Sequence, residues 1–313
     1  MPSWKPRSVA VVGAGAVGGY FGARLARAGV DVTLVARPAH VEAIRRDGLR
    51  VVEASGEWRA AVHASTELAS VRDRDLVLFT VKTPDTARVA AELAPHLGAD
   101  ARLVSLQNGV DNAERIAAVL AHPVYAAVVY VGVQVDRPGL VRHTGRGDLV
   151  IGVPRAARGR GDDGDLRAIA SMFEAAGVPC PVSDDVEAAL WTKLTLNCAF
   201  NAISAIAGVP YGTMAASGPA REVMASVVRE TAAVARAAGV SIDADALDAA
   251  AWKLAAAMPE QRSSTAQDIE RGRPTEIDAL NGFVARRGAE LGVPAPVNRT
   301  LHALVKLREG GPS

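Results

Sequence analysis

Cysteine is scarce in this chain: among 313 residues there are two, Cys180 and Cys198. Two thiols build no disulfide framework and no CxxC-type metal site, so no metal is expected. The spacing reads as a pair of buried thiols in a reducing compartment. Charge of one sign is also lacking, since 35 basic against 34 acidic side chains leave a formal +1. A nucleic-acid or anionic-membrane partner would leave a basic footprint, and none is present. Aromatics make up only 4% of residues, so the core implied by a 49% hydrophobic content is built from Ala, Val and Leu. No internal repeat is evident, and the one biased patch, residues 155–165 (RAARGRGDDGD), reads as an exposed loop. The first residues, MPSWKPR, lack the apolar core of a secretory signal, so a cytoplasmic protein is the expectation. The longest apolar stretch, Leu190 to Tyr211, is broken by Lys193, Asn197 and Asn201 and falls short of the roughly 18 clean apolar residues of a membrane span.

The length allows two domains, and the pattern changes character near residue 183. Residues 1–183 alternate short apolar runs with helical segments, an α/β half of Rossmann type. Residues 184–313 read as helical throughout, with segments at 185–207, 218–238, 243–257, 264–271, 275–291 and 297–308. In the first half, the run Ser8–Val12 leads into Gly13-Ala14-Gly15-Ala16-Val17-Gly18, then a helix to about Ala28 and a strand from Asp31 to Ala36. GxGxxG is a weak signal alone, but here it sits between strand and helix inside a βαβ unit, where a dinucleotide site requires it. Gly13 permits the tight turn, Gly15 lets the backbone approach a pyrophosphate, and Gly18 lets helix and strand pack closely. An NAD site would place an acid after the second strand. This chain has Arg37, whose guanidinium suits a 2′-phosphate, so NADP(H) is favoured; a plain surface arginine is the alternative.

Further strands are expected at Asp75–Lys82 and Ala101–Leu106, with a hairpin through Leu49–Val62. Ligands in open α/β sheets bind beyond the carboxyl ends of strands. Lys82 at such an end meets phosphate, ribose or substrate, or else stands solvated, and Asn108 in Gln107-Asn108-Gly109 brings an amide to the same edge. Strands at Val124–Val135 and Asp148–Val153 are expected to be joined by the glycine-rich HTGRGD segment, followed by a helix at Asp165–Ala176 and a strand at Val178–Ser183.

In the helical half, Lys193, Asn197 and Asn201 fall on one helix face, drifting by about 40° per step over about 12 Å. An ammonium and two carboxamides on a buried helix need partners, either from the protein or from a polar ligand. Ser264 and Gln267 have the spacing of a capping box, and a helix N-terminus with a hydroxyl also suits a carboxylate. Glu276 opens the next helix, where it complements the helix dipole or faces the polar stripe.

Taken together, GAGAVG at 13–18, Lys82 in VKT, Gln107-Asn108-Gly109, WTKLTLNCAFN at 191–201 and SSTAQDIERGRPTEID at 263–278 resemble the ketopantoate reductase family, the 2-dehydropantoate 2-reductases, over essentially the whole chain. The resemblance implies NADPH-dependent reduction of the ketone of 2-dehydropantoate to pantoate, a step of pantothenate and coenzyme A biosynthesis. By the same resemblance Lys193 matches the general acid, Asn108, Asn197, Asn201 and Ser264 match substrate-holding residues, and Glu276 matches a glutamate of the closed active site. Gly13 to Gly18 (with Ala14, Ala16 and Val17), Arg37, Lys82, Asn108, Val135 and Glu276 match the cofactor side. A homodimer is compatible with the resemblance. One departure is Tyr211, which stands where well-known members carry a further substrate-binding asparagine. The chemistry agrees: hydride transfer to a 2-oxo acid puts negative charge on the ketone oxygen, and a desolvated lysine opposed by Glu276 is a suitable acid. The competing expectations are a related reductase for another 2-oxo or 3-hydroxy acid, and a non-catalytic NADP-binding sensor.

Overall fold

Short, almost wholly buried β-branched runs alternate with glycine-stopped helices through the first half of the chain, and that alternation builds a parallel sheet. The computed structural model describes residues 4–310, and the chain falls into two units, Met1–Val186 and Glu187–Ser313. In chain order the first unit contains β1 (Ser8–Val12), α1 (Ala16–Arg27), β2 (Asp31–Val35), α2 (Pro38–Asp47), β3 (Leu49–Glu53), β4 (Gly56–Ala60), β5 (His63–Ser65), β6 (Leu76–Phe79), α3 (Thr86–Leu93), β7 (Arg102–Ser105), α4 (Asn112–Ala117), β8 (Val124–Arg137), β9 (Leu140–Gly152) and α5 (Asp163–Ala175). Nine strands form one sheet in the order β4-β3-β9-β8-β7-β6-β1-β2-β5. Among the described residues, the β3–β4 and β8–β9 pairs run antiparallel and the other pairs parallel. The expected Rossmann-type architecture is borne out, as is the hairpin at 49–62. The short β5, α3 and α4 were not foreseen.

The central strands are buried on both faces, as a parallel sheet covered by helices requires; Val9 to Val12 and Leu76 to Phe79 are almost inaccessible. On one face α1 meets α5 through Phe21 and Phe173, edge to face at 6.1 Å. Arg24 closes the end of that contact by donating from Nε and Nη2 to the Ala176 carbonyl at 3.1 and 2.9 Å. Cys180 lies in this core, where burial pushes its thiol up to about 12.

Three expectations about the first unit are corrected. HTGRGD is not the connection between two strands. It lies within β9, and the hairpin turns at Pro138-Gly139 instead, with Gly139 at φ +76°. The glycines serve bulges: the β8–β9 register shifts beside Tyr130, where Gly147 (φ +147°) is left out between Asp148 and Arg146 (φ +53°), and again beside Gly132, where Thr144 is left out next to Gly145. Val178–Ser183 makes no full strand. Pro179 and Pro181 accept from Leu149 N and Ile151 N at 2.9 and 3.0 Å but have no N–H to return, and one bridge, Ile151 to Val182, remains. Finally, the helix after the 155–165 patch begins at Asp163, not Asp165, because the Asp162 carboxylate caps it by accepting from Asp165 N at 2.7 Å. Asp165 itself is buried, and its Oδ2 accepts from Tyr125 Oη at 2.8 Å and Arg102 Nε at 2.9 Å.

The second unit is helical: α6 (Val186–Ala207, its first residue belonging to the first unit), α7 (Tyr211–Ala216), α8 (Gly218–Ala237), α9 (Ala244–Ala257), α10 (Ser264–Glu270), α11 (Asn281–Glu290) and α12 (Pro296–Arg308). The short α7 was not foreseen. No helix is long and apolar enough to cross a membrane among the described residues. A chain of polar side chains ties four of the helices, α8, α12, α11 and α6, together. Glu230 of α8 caps α12 by accepting from Val297 N and Asn298 N, both at 2.9 Å, and from Asn298 Nδ2 at 2.9 Å. Asn281 Nδ2 then donates to Asn298 Oδ1 at 3.0 Å and to the Cys198 carbonyl of α6 at 3.1 Å. Cys198 is fully buried, which raises its thiol far above the ordinary cysteine range.

Candidate active site

The strand register decides where the first set of candidate residues lies. Val35, Val12, Phe79 and Ser105 are aligned across β2, β1, β6 and β7, all parallel, so the loops after them leave one edge of the sheet. Gly13, Arg37, Lys82 and Asn108 all stand just beyond that row. The strand order also reverses at β1, which pairs with β2 on one side and β6 on the other, the crevice where open α/β sheets bind ligands.

The glycines carry three separate constraints. Gly13 has φ +84°, and a Cβ there would lie 2.6 Å from Val81 Cγ1 and 2.7 Å from Val81 N. A Cβ on Gly18 would lie 2.5 Å from Thr80 Oγ1 and 2.6 Å from Val11 Cγ1, so α1 and β1 approach each other only because it is absent. Gly15 differs: its Cβ would meet nothing closer than Gly13 O at 3.8 Å, leaving open space over the start of α1. No side chain caps that helix. Ala14, Ala16 and Val17 complete the turn, with Gly13 N and Ala14 N both donating to Val35 O at 3.0 Å. A free helix N-terminus beneath an open glycine fits a pyrophosphate. Arg37, extended and exposed before Pro38, has no side-chain partner among the described residues. That fits an incoming phosphate.

Lys82 and Asn108 are held by a buried network the sequence did not reveal. Gln107 Nε2 donates to Val81 O at 2.9 Å and to Thr86 Oγ1 at 2.8 Å, and Thr86 Oγ1 donates to Asn112 Oδ1 at 2.9 Å. Asn112 Nδ2 reaches Asn108 O at 2.6 Å, and Thr83 Oγ1 donates to the same carbonyl at 3.1 Å. The ends of β6 and β7 are thus bolted together on either side of Lys82. The network's signal in the sequence is polar residues at turn positions in TPDT and QNGVDN. Asn112→Ala strands the Thr86 hydroxyl in a buried site at about 1–3 kcal/mol. Thermal unfolding should show a Tm several degrees lower, and an unchanged Tm would mean the network is dispensable. Val135 is not on the row. It lies in the part of β8 that runs past Ala126, paired with Val141, whose Cγ2 would stand 3.0 Å from a Cβ on Gly19 of α1.

The second unit holds the remaining candidates. On α6, Lys193 and Asn197 are half-buried and Asn201 is 4% exposed, with Ser204, fully buried, continuing the stripe. The cap of α10 is Ser263 rather than Ser264: Ser263 Oγ accepts from Ala266 N at 3.0 Å and donates to Asn201 O at 3.2 Å, while Ser204 Oγ accepts from Ser263 N at 3.3 Å. This correction matters to the site. Gln267 falls one position too far for a capping box and donates to Arg262 O at 3.3 Å instead. Ser264, released from capping, is exposed at the first turn, next to the residue that docks on Asn201. The side chains of Asn197, Asn201 and Ser264 have no hydrogen-bond partner among the described residues.

Tyr211 opens α7, its ring buried 4.4 Å from that of Phe200, and burial pushes its hydroxyl up to about 12. Tyr211 N and Gly212 N donate to Gln261 O and Pro259 O at 3.0 and 2.8 Å, tying α7 to the segment that enters α10. Glu276 does not open a long helix as expected. A 3-10 turn at Ile277–Ala279 intervenes before α11, because the Thr275 hydroxyl accepts from Ile277 N at 3.2 Å and bends the chain.

Residues 9–156 match the family model described as Ketopantoate reductase PanE/ApbA, and residues 185–309 match its C-terminal counterpart. The chain belongs to the ketopantoate reductase family. Among solved structures, a PanE/ApbA family ketopantoate reductase from Ralstonia eutropha JMP134 is 48% identical, with a TM-score of 0.89 over 96% of this chain and 98% of its own. Among curated relatives, the 2-dehydropantoate 2-reductase of Archaeoglobus fulgidus is 36% identical over 97% of this chain and 98% of its own length. That of Mesorhizobium japonicum is 33% identical over 95% and 96%. As a family member the chain is an oxidoreductase with a small-molecule substrate, and both of its units are accounted for by ketopantoate reductase domains.

Proposed function

We propose that this chain reduces the ketone of 2-dehydropantoate to the alcohol of pantoate with NADPH, in pantothenate and coenzyme A biosynthesis. One observation carries the reading. Asn201, buried to 4% exposure, keeps a side-chain amide without a partner among the described residues, on the same helix face as Lys193 and Asn197 and beside the exposed Ser264. An amide nearly withdrawn from water and left without a protein partner is a ready hydrogen-bonding group for a polar ligand. Asn197 and Asn201 take the substrate hydroxyl and fix its orientation. Ser264 and the first turn of α10 take the carboxylate. Lys193 donates the proton to the ketone oxygen as negative charge develops there, and Glu276 keeps Lys193 in its charged form. The dinucleotide, when bound, supplies the hydride. Gly13 to Gly18 admit its pyrophosphate, Arg37 takes the 2′-phosphate, and Lys82 and Asn108 flank the ribose end. The names of the curated relatives support the substrate.

The test is NADPH oxidation with 2-dehydropantoate, beside pyruvate, oxaloacetate and 2-oxoisovalerate, repeated with NADH. Fast turnover confined to 2-dehydropantoate and a higher kcat/KM with NADPH are expected. Preference for NADH would refute the role of Arg37, and silence on every oxo acid would favour a non-catalytic NADP-binding protein. A second reading, reduction of another 2-oxo acid, is favoured by Tyr211, whose ring packed on Phe200 fills space at the buried end of the stripe. Turnover of another oxo acid with 2-dehydropantoate inert would select it.

A further inference from the structure

The turn that follows Glu276 is short, with Ala279 N donating to Glu276 O at 2.9 Å and Leu280 N to Ile277 O at 3.2 Å. Further anchors come from α12. His302, Lys306 and Glu309 stand at i, i+4 and i+7, one face of that helix, and all three reach the turn or one another. Glu309 Oε1 accepts from Thr275 N at 2.8 Å and also from the Thr275 hydroxyl, which in turn accepts from Ile277 N at 3.2 Å. On the other side of Glu276, Asp278 bonds His302 Nε2 at 2.6 Å and Lys306 Nζ at 3.2 Å. Lys306 closes the ring on Glu309 at 2.6 Å, and Arg286 donates to Asp278 O at 2.8 Å. Against burial, which would raise it, the bonds from Lys306 and Thr275 hold the Glu309 carboxyl below its usual range. Gly282 leaves the room this needs, since a Cβ there would lie 2.8 Å from the His302 ring and 3.1 Å from Ile277 O. Thr275 and Ile277, which flank Glu276, are buried while Glu276 is half-buried.

We propose that Thr275 and Glu309 are positioning residues: the Glu309 carboxylate on α12 clamps the turn through Thr275 and so fixes where the Glu276 carboxylate stands. The inference rests on the reading of Glu276 given above. Glu276 immediately precedes the three-residue turn, and the anchors at Thr275, one residue before it, and Asp278, two after, set its backbone directions. Loosening either lets the carboxylate drift by a distance comparable to the roughly 1 Å that costs an active site about two orders of magnitude in rate.

The experiment compares full-length Glu276→Gln, Thr275→Val, Thr275→Ser and Glu309→Ala enzymes in kcat, KM, NADPH affinity and the pH profile of kcat/KM with 2-dehydropantoate. Glu276→Gln, Thr275→Val and Glu309→Ala should each lower kcat by about tenfold or more. Each should also move the alkaline limb to lower pH, because a lysine acid without its carboxylate loses its proton more readily. Thr275→Ser, which keeps the hydroxyl, should hold both rate and limb at the parent value. A purely structural role would lower Tm without moving the limb. The inference is overturned, with the proposed function intact, if Glu276→Gln changes rate and limb while Thr275→Val and Glu309→Ala leave both unchanged. A Glu276→Gln enzyme indistinguishable from its parent removes the role of the glutamate and the inference with it. Should Glu309→Ala not fold, the Thr275→Val and Thr275→Ser pair decides alone.

Discussion

Lys193→Ala should lower kcat by about two or more orders of magnitude, the range expected for loss of a positioned acid, while NADPH affinity stays unchanged. The substitution isolates chemistry from folding. Lys193 is half-buried, and its stretch of α6 is anchored by other side chains: Trp191 packs against Phe283 at 5.7 Å, and Asn281 holds the Cys198 carbonyl. Alanine is also the best helix former, so α6 itself is not weakened. In the proposed mechanism the variant loses the cation at the oxygen that gains charge in the transition state. Steady-state NADPH oxidation, with Tm as control, makes the measurement. A loss below about tenfold would end the assignment of Lys193 as general acid.

Gly13→Ala should be the most damaging single change in the first unit. Its backbone sits at φ +84°, a conformation that costs an L-residue about 1–2 kcal/mol. The added methyl would also stand 2.7 Å from a backbone nitrogen, Val81 N, and 2.8 Å from Val81 Cα, atoms that cannot swing aside like a side-chain tip. Val81 is fixed further by its carbonyl, which accepts from Gln107. Strain and overpacking together come to roughly 2–5 kcal/mol, a large part of a typical folding free energy. Thermal unfolding should record a drop of about 10 °C or failure to fold. Gly15→Ala is the control, because its Cβ meets nothing nearer than 3.8 Å in the protein. That variant should keep its Tm and lose NADPH affinity, which a fluorescence titration reads directly. Equal Tm values for the two variants would refute the separation of folding and binding roles.

These contrasts mark what the residues alone disclosed. The parallel sheet and the dinucleotide turn were legible because apolar runs and glycines act locally: Gly13, Arg37, Lys82 and Asn108 each follow within three residues of a strand end, and the register brings those ends to one row. The stripe on α6 was legible from helical periodicity alone. The rest depended on partners distant in sequence. Whether Ser263 or Ser264 caps α10 turns on Ser204 and Asn201, about 60 residues earlier, which claim the first serine and leave the second exposed. The break after Glu276 depends on Glu309, 34 residues away from Thr275. Pro179 and Pro181 spoil a strand that otherwise has the right apolar content, and the glycines of HTGRGD make bulges where a turn was the simpler reading. Polar networks such as Gln107–Thr86–Asn112 leave only ordinary turn residues in the sequence, and only the fold shows that they meet.

The two buried cysteines give the molecule an internal clock. Cys180 lies in the core of the first unit and Cys198 on α6 in the second, and burial disfavours the reactive thiolate at both. Alkylation at either must wait until the packing around it opens. One reagent, with peptide mapping to separate the two positions, therefore times the opening of each unit independently and shows whether they breathe as one body or as two.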